Sequence, residues 1–307
     1  MSFSRSAPVR RARAFGPGHV TGLFLPSTSP RDPRARGSIG AGIVLEVGVS
    51  AEAVWRPGRR SRVRIVSDLP RRLEISEEVA RRLVGPEPGE LTVRLTHAMP
   101  VGQGFGSSAA GAIATGLAVA RATGRPRRLA IEVAHLADLF GGGGLGGVAA
   151  ILGGGLEVRV RPGIPPFGAV VRRPFPDSIL AGVLGGPIAT ASILRSPAAL
   201  ARIGRAADRL GPLAQRPDAD RFWDASEAFT DRAGLAPRRL ADLLRGLRRR
   251  GARAAQAMFG RSFFASLPTG PRRAEILRWL DRGRVRGVEV WADSRGARLV
   301  QGARSAR

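Results

Sequence analysis

The segment Pro100-Val-Gly-Gln-Gly-Phe-Gly-Ser-Ser-Ala-Ala-Gly111 places three glycines and two serines where a phosphate group can be held. Gly102, Gly104 and Gly106 let the backbone come close to an anion. Ser107 and Ser108 open an alanine-rich stretch whose first free N–H groups and positive dipole end favour negative charge. A tight structural turn into a helix is the other reading of the loop taken alone. The pattern is not the dinucleotide fingerprint, because G-x-G-x-G-S-S replaces G-x-G-x-x-G and no clean βαβ unit follows. All 50 basic residues are arginine, so a phosphate loop ending in G-K-[ST] and any Schiff-base chemistry are excluded. The absence of cysteine removes disulfides, thiolate metal sites and cysteine nucleophiles.

Two further groups carry chemistry. Leu129 to Phe140 is predicted as a helix in which Ile131, His135 and Asp138 share one face. Asp138 offers hard oxygens and a polar helix end is its plainer role, while His135 taken alone is more often structural. Arg159 lies on the alternating segment Leu156 to Arg161, and its guanidinium fork suits a carboxylate or a phosphate. Taken as one of many arginines, it is a solvated surface residue.

The elements that must position these groups follow from periodicity and breakers. Residues 1–13 form a basic, polar leader. Gly37 to Val49 is expected to start as a flexible glycine turn and run into a β-branched strand, Val54 to Val66 and Leu91 to Leu95 are expected as strands, and Glu77 to Val84 as a short helix. A helix is expected from Ser107 to Ala122. A strand at Leu156 to Arg161 precedes the breaker Pro162-Gly-Ile-Pro-Pro166, and the domain boundary is placed near residue 170. A strand at Ile179 to Leu184 opens the second half. The helix marked by Leu240, Leu243, Leu244 and Leu247 follows, then late strands at Val288 to Trp291 and Ala297 to Val300. Arg248 to Arg250 suit the C-terminal dipole of that helix.

With 307 residues and 43% hydrophobic content, the chain is long enough for two lobes with a sizeable core. Its apolar segments are too short or too glycine-rich to cross a bilayer, and the N-terminus lacks a secretory pattern, so a cytoplasmic protein is expected. The net charge of +26 raises polyanion binding. Lysine, asparagine and tyrosine, all with A/T-rich codons, are absent, so a GC-rich genome accounts for the same composition, and no nucleic-acid partner is expected.

In combination these segments resemble the GHMP small-molecule kinases. The loop at 100–111 is similar to that superfamily's second motif, P-x-x-x-G-L-G-S-S-A-A, with Phe105 for leucine. Phe15-Gly-Pro-Gly-His19 is similar to its first motif, and Gly251 to Ala265 to a reduced third. Within the superfamily the resemblance is to the archaeal pantoate kinase family. It rests on Pro17-Gly-His-Val-Thr-Gly-Leu-Phe24, Asp32-Pro-Arg-Ala-Arg-Gly-Ser-Ile-Gly-Ala-Gly-Ile43, Ala134 to Val148, Gly154 to Gly168, and Pro187-Ile-Ala-Thr190.

The resemblance implies an α+β, two-domain GHMP-kinase-like fold. A ribosomal-protein-like α/β domain would span 1–170 and a ferredoxin-like α/β domain 171–307. It implies ATP-dependent phosphorylation of the 4-hydroxyl of pantoate, a step towards coenzyme A, with ATP and Mg²⁺ as cofactors and, on family grounds alone, a homodimer. Gly102, Gly104, Gly106, Ser107 and Ser108 would hold the phosphates, and Ser108 and Asp138 the Mg²⁺. His135 and Arg159 would act on phosphate or substrate, and His19, Thr21, Ser38 and Thr190 would line the substrate side. Three positions depart from the family pattern: Asp138 stands for glutamate, Gly143 for threonine, and Gly147 for the aspartate expected to receive the substrate's hydroxyl proton. The departures keep open a kinase of another alcohol and a nucleotide-binding relative of reduced catalysis.

Overall fold

A computed structural model describes residues 8–187 and 193–301. Within them, Trp55, Ile113 and Phe222 illustrate cores that are closed to water. The first sheet is built on two long strands, β1 (Arg10–Ser27) and β2 (Gly37–Pro57), paired antiparallel along almost their full length. β3 (Arg62–Ser67) and β4 (Gly89–His97) extend it, β3 running parallel to β4. The first half of β2 pairs instead with β5 (Leu156–Arg161), which pairs with β6 (Ala169–Arg173). β2 therefore splits between two neighbours, and the split opens the sheet beside the site.

Helices α1 (Glu74–Leu83), α2 (Ser107–Thr123), α3 (Arg127–Phe140) and the single turn α4 (Gly147–Ala150) pack with this sheet. α2 is buried on nearly every side, as its uniform run of alanine, glycine and small aliphatics requires. The closeness has a specific cause: Gly16 of β1 faces the Ala110 carbonyl of α2, and any Cβ there would overlap it. Burying Ile113, Val119, Leu91, Val93 and Trp55 in one cluster supplies the apolar driving force of this half.

The second sheet has the order β10 (Gly287–Trp291), β7 (Ser178–Val183), β9 (Ser262–Ser266), β8 (Arg253–Gln256), all antiparallel. Helices α5 (Pro197–Ala206), α6 (Leu210–Gln215), α7 (Ala219–Ala233), α8 (Arg238–Arg249) and α9 (Pro271–Arg282) belong to this half of the chain. One apolar cluster joins the halves, packing Leu23, Phe24 and Ile43 of the first sheet with Phe264 and Val290 of the second sheet and Phe222 of α7.

The architecture is the two-part α+β arrangement expected, with local corrections. Arg10 to Arg13 are not a loose leader but the start of β1, because Ala12 and Ala14 alternate inward and pair with Ala53 and Ala51. The expected strand from Val54 to Val66 is two strands, broken at Pro57-Gly58. The boundary placed near residue 170 falls inside β6, and the last strand, β11 (Arg298–Val300), returns to cover the edge of β1. Arg248 pairs with Asp231 and also donates to the Ala254 carbonyl, while Arg250 stacks over Trp279 at 4.3 Å. No helix among the described residues is long and apolar enough to cross a membrane.

Candidate active site

A cavity of about 720 Å³ lies where the two halves meet. Its floor is the loop from Val101 to Gly106 and the first residues of α2, and its walls include Asp138, the glycine turn at 141–147, Arg159, and the Met258–Gly260 turn between β8 and β9.

The loop's conformation is set by its glycines. Gly102, Gly104 and Gly106 have φ of +78°, +82° and +69°, the left-handed region that other residues adopt only under strain. Gly106 is the N-cap of α2 and supplies no side-chain cap, so the helix's first N–H groups remain available to an anion in the cavity. Ser107 donates its hydroxyl to the Pro100 carbonyl at 3.0 Å and so closes the base of the loop. Gln103 donates to the Gly185 carbonyl at 2.8 Å, and Ser262 donates to the Gln103 carbonyl, tying the loop to the second half.

Ser108 faces into the cavity and donates to Asp138 Oδ1 at 2.5 Å. Asp138 is only 2% exposed, and burial pushes its carboxyl up to about 6 against the opposing Ser108 hydrogen bond. Such a carboxyl lowers its cost by meeting a cation. Gly143 sits directly against this pair: a Cβ there would overlap both oxygens. Gly147 lies across from it, and a Cβ would stand 3.7 Å from Asp138 Oδ2 but 2.7 Å from the Ala109 methyl. Among the described residues no group of three or more His, Cys, Asp and Glu side chains gathers as a metal cage. One hydroxyl and one carboxylate on hard oxygen atoms nevertheless fit Mg²⁺, which is bound by few protein ligands together with substrate phosphates and water.

His19, Thr21 and Arg159 also line the cavity, and the His19 backbone N–H donates to the Phe105 carbonyl of the loop at 3.0 Å. His19 Nε2 lies 2.9 Å from Glu157 Oε1, and its Nδ1 lies 3.1 Å from the Thr21 hydroxyl. A carboxylate accepts only, which assigns the ring proton to Nε2 and leaves Nδ1 to accept from Thr21. Burial lowers the His19 pKa more than Glu157 raises it, so the ring is neutral. Arg159 donates to the same Oε1 of Glu157. Burial works to raise the Glu157 pKa, but Arg159 and His19 hold it below the usual carboxylate value.

Two expected site residues stand elsewhere. His135 does not line the cavity: its Nε2 is 3.3 Å from the Pro33 carbonyl, and it anchors the 3₁₀ turn Pro33–Ala35. Ser38 is likewise outside the lining and donates to the Leu145 carbonyl, steadying the glycine turn. In both cases a nearby backbone carbonyl meets the polar group. Thr190 lies outside the described residues.

Other residues at the cavity or directly behind its lining were not anticipated. Glu157 shares its strand face with Arg159 by i, i+2 spacing, which was the available signal. His97 lines the cavity near its mouth, with Nδ1 2.8 Å from Asp68, and Arg71 and Arg72 stand close by. Rarity was the signal for His97, since the chain has only three histidines.

The sequence profile of the GHMP kinases N terminal domain matches residues 73–155, which hold the Gly102–Gly106 loop, α2, Asp138 and the glycine turn. The chain is 34% identical to a pantoate kinase of Thermococcus kodakarensis over 241 residues, 76% of this chain and 80% of the relative. It is 30% identical to a pantoate kinase of Methanospirillum hungatei over 264 residues, 84% and 88% of the two chains. A solved phosphotransferase related to the CoA biosynthesis pathway superposes with a TM-score of 0.84 at 29% identity, covering 94% of this chain and 98% of that one. A homoserine kinase structure from Cytophaga hutchinsonii superposes with a TM-score of 0.67 at 16% identity over 98% of this chain and 100% of that one, a likeness of fold alone.

Proposed function

Because the chain belongs to the pantoate kinase family of the GHMP kinases, we propose that it transfers the γ-phosphoryl group of ATP to the 4-hydroxyl of pantoate, towards coenzyme A. The observation that carries this reading is one cavity lined by a free helix N-terminus, the Ser108 hydroxyl and the buried Asp138 carboxyl together with His19 and Arg159. The first three groups suit a polyphosphate and its metal, and the last two a hydroxy acid.

The first N–H groups of α2 and the backbone of Gly102 to Gly106 would receive phosphate oxygens, with the left-handed glycines allowing the close approach. Ser108 and Asp138 would hold Mg²⁺, which when bound neutralises charge on the phosphates. Arg159 would pair with the pantoate carboxylate, and neutral His19 and Thr21 would face the rest of that substrate. The hydroxyl oxygen forms its bond to phosphorus as the bond to ADP breaks and its proton passes to solvent, through a loose transition state in which positioning and charge stabilisation do most of the work. Gly147 supplies no side chain to take the hydroxyl proton. A homodimer and a cytoplasmic site of action belong to the same proposal and rest on the family relation.

The test offers ATP and Mg²⁺ with pantoate, homoserine or mevalonate and follows ADP release, with mass analysis of the product. Turnover with pantoate and formation of 4-phosphopantoate are expected. Turnover with another alcohol only, or with none, overturns the reading.

A further inference from the structure

Glu157 is fully buried and does not line the cavity, yet one of its oxygens touches two residues that do. Oε1 accepts from His19 Nε2 at 2.9 Å and from the Arg159 guanidinium. The surrounding backbone leaves room for this arrangement. In the β2–β5 pairing, Gly42 stands opposite Glu157 and Gly40 opposite Arg159. A Cβ on Gly42 would overlap the His19 ring, and one on Gly40 would lie 2.5 Å from Arg159 Nη2. Two neighbouring strand positions thus lack side chains where the imidazole and guanidinium lie. Pro17/Gly18 and Thr21/Leu23, on either side of His19, are register shifts in β1, which re-aim the strand locally.

We propose that Glu157 is a positioning residue: it fixes the ring orientation and proton location of His19 and the guanidinium of Arg159, and so sets the geometry of the substrate wall. The proposal rests on the reading of that wall as the pantoate side. Burying a carboxylate is costly unless it is paired, and a packed apolar residue usually serves stability as well or better. A buried Glu157 whose Oε2 has no partner among the described residues is therefore poorly explained by packing alone. It is explained by two cavity groups that would otherwise be free to turn. An arginine on a flexible stem loses little rotational freedom on binding substrate when a partner already holds it. A histidine held as the Nε2–H tautomer presents Nδ1 as acceptor, and that acceptor in turn orients the Thr21 hydroxyl.

Glu157→Gln preserves size and an acceptor for His19 but removes the charge that holds Arg159. The expected result is a KM for pantoate raised roughly 10- to 100-fold, the usual cost of losing the partner that orients a ligand-binding group, with the KM for ATP within about twofold of the parent. A pantoate KM changed by less than about threefold, or an ATP KM that rises in step with it, overturns the proposal. A second measurement does not depend on the substrate. The parent protein has three histidines, so its ¹⁵N-imidazole spectrum is readily assigned. His19 is expected as a single Nε2–H form, and an Nδ1–H form or a mixture overturns the proposal. If the parent enzyme does not phosphorylate pantoate, the functional reading fails separately, and the imidazole spectrum decides the role of Glu157.

Discussion

Ser108 donates its hydroxyl to Asp138 at 2.5 Å, and Gly143 is the residue whose missing side chain makes room for that contact. Resemblance to the family places a threonine at 143 and a glutamate at 138. Both departures concern the same few ångströms of space. Restoring only the threonine would drive a Cβ into both oxygens at once. Gly143→Thr and Gly143→Ala are therefore expected to lower kcat/KM by roughly 10- to 100-fold, as misplacement of about an ångström at a reacting centre does. Gly204→Ala, on a helix with open space around it, is the control. Steady-state ADP release measures all three, and equal rates would show that the pair does not need the space.

Asp138 gives a pH signature. Its folded-state pKa is raised from 3.8 to about 6 by burial, so the folded protein holds a proton that the unfolded chain has released. Stability of the protein free of nucleotide and Mg²⁺ should therefore fall as pH rises between these values and stay low above them. The cost at pH 7 is roughly 3 kcal/mol, an upper figure for one buried carboxylate. Asp138→Asn removes it, so the variant should melt several degrees higher at pH 7, lose most of that pH dependence and lose catalytic activity. Calorimetry at pH 4 to 8 in a chelator checks the sign. A variant that melts at or below the parent temperature at pH 7 contradicts it.

The conformation of the glycine loop was legible from the chain because its residue types dictate it. Glycines at 102, 104 and 106 and serines at a helix start state their geometry locally. The placement of Asp138 against Ser108 came from family resemblance, since a separation of thirty positions and the packing of α2 against α3 decide it. His135 and Ser38 were expected in the cavity and point to backbone carbonyls of neighbouring loops, partners that no periodicity announces. Glu157 was hidden for the converse reason. Alternation put it on the face of Arg159, but only the β2–β5 register shows that this face meets His19. The return of β11 to the first sheet was equally invisible, because a three-residue strand carries too little pattern to name its partner.

Gly104 links the glycine loop to the second half of the molecule. A Cβ at this position would overlap the Ala257 carbonyl at the start of the β8–β9 turn, and φ of +82° adds strain for any other residue. Gly104→Ala should therefore push the loop and turn apart, weaken ATP binding by about tenfold or more and leave the His19 imidazole spectrum unchanged. Titration with a fluorescent ATP analogue reads the first effect. Unchanged nucleotide affinity would mean that the loop does not depend on that close approach.

Gly147 is where the family places its aspartate, and the structure shows what restoring it requires. The position faces Asp138, but a Cβ would stand 2.7 Å from the methyl of Ala109 on α2, a residue with no room to retreat inside a buried helix. Gly147→Asp alone is therefore expected to lose stability and gain no rate. Combined with Ala109→Gly, which removes the obstructing methyl, the same aspartate can occupy the cavity side of α4. If the missing general base limits turnover, the double variant should exceed the parent in kcat, by up to roughly 10²–10⁴-fold, the share such a base contributes. Ala109→Gly alone separates the effect of helix loosening, at about 1 kcal/mol of stability. A folded double variant no faster than the parent would show that positioning and charge stabilisation already suffice for transfer at this site.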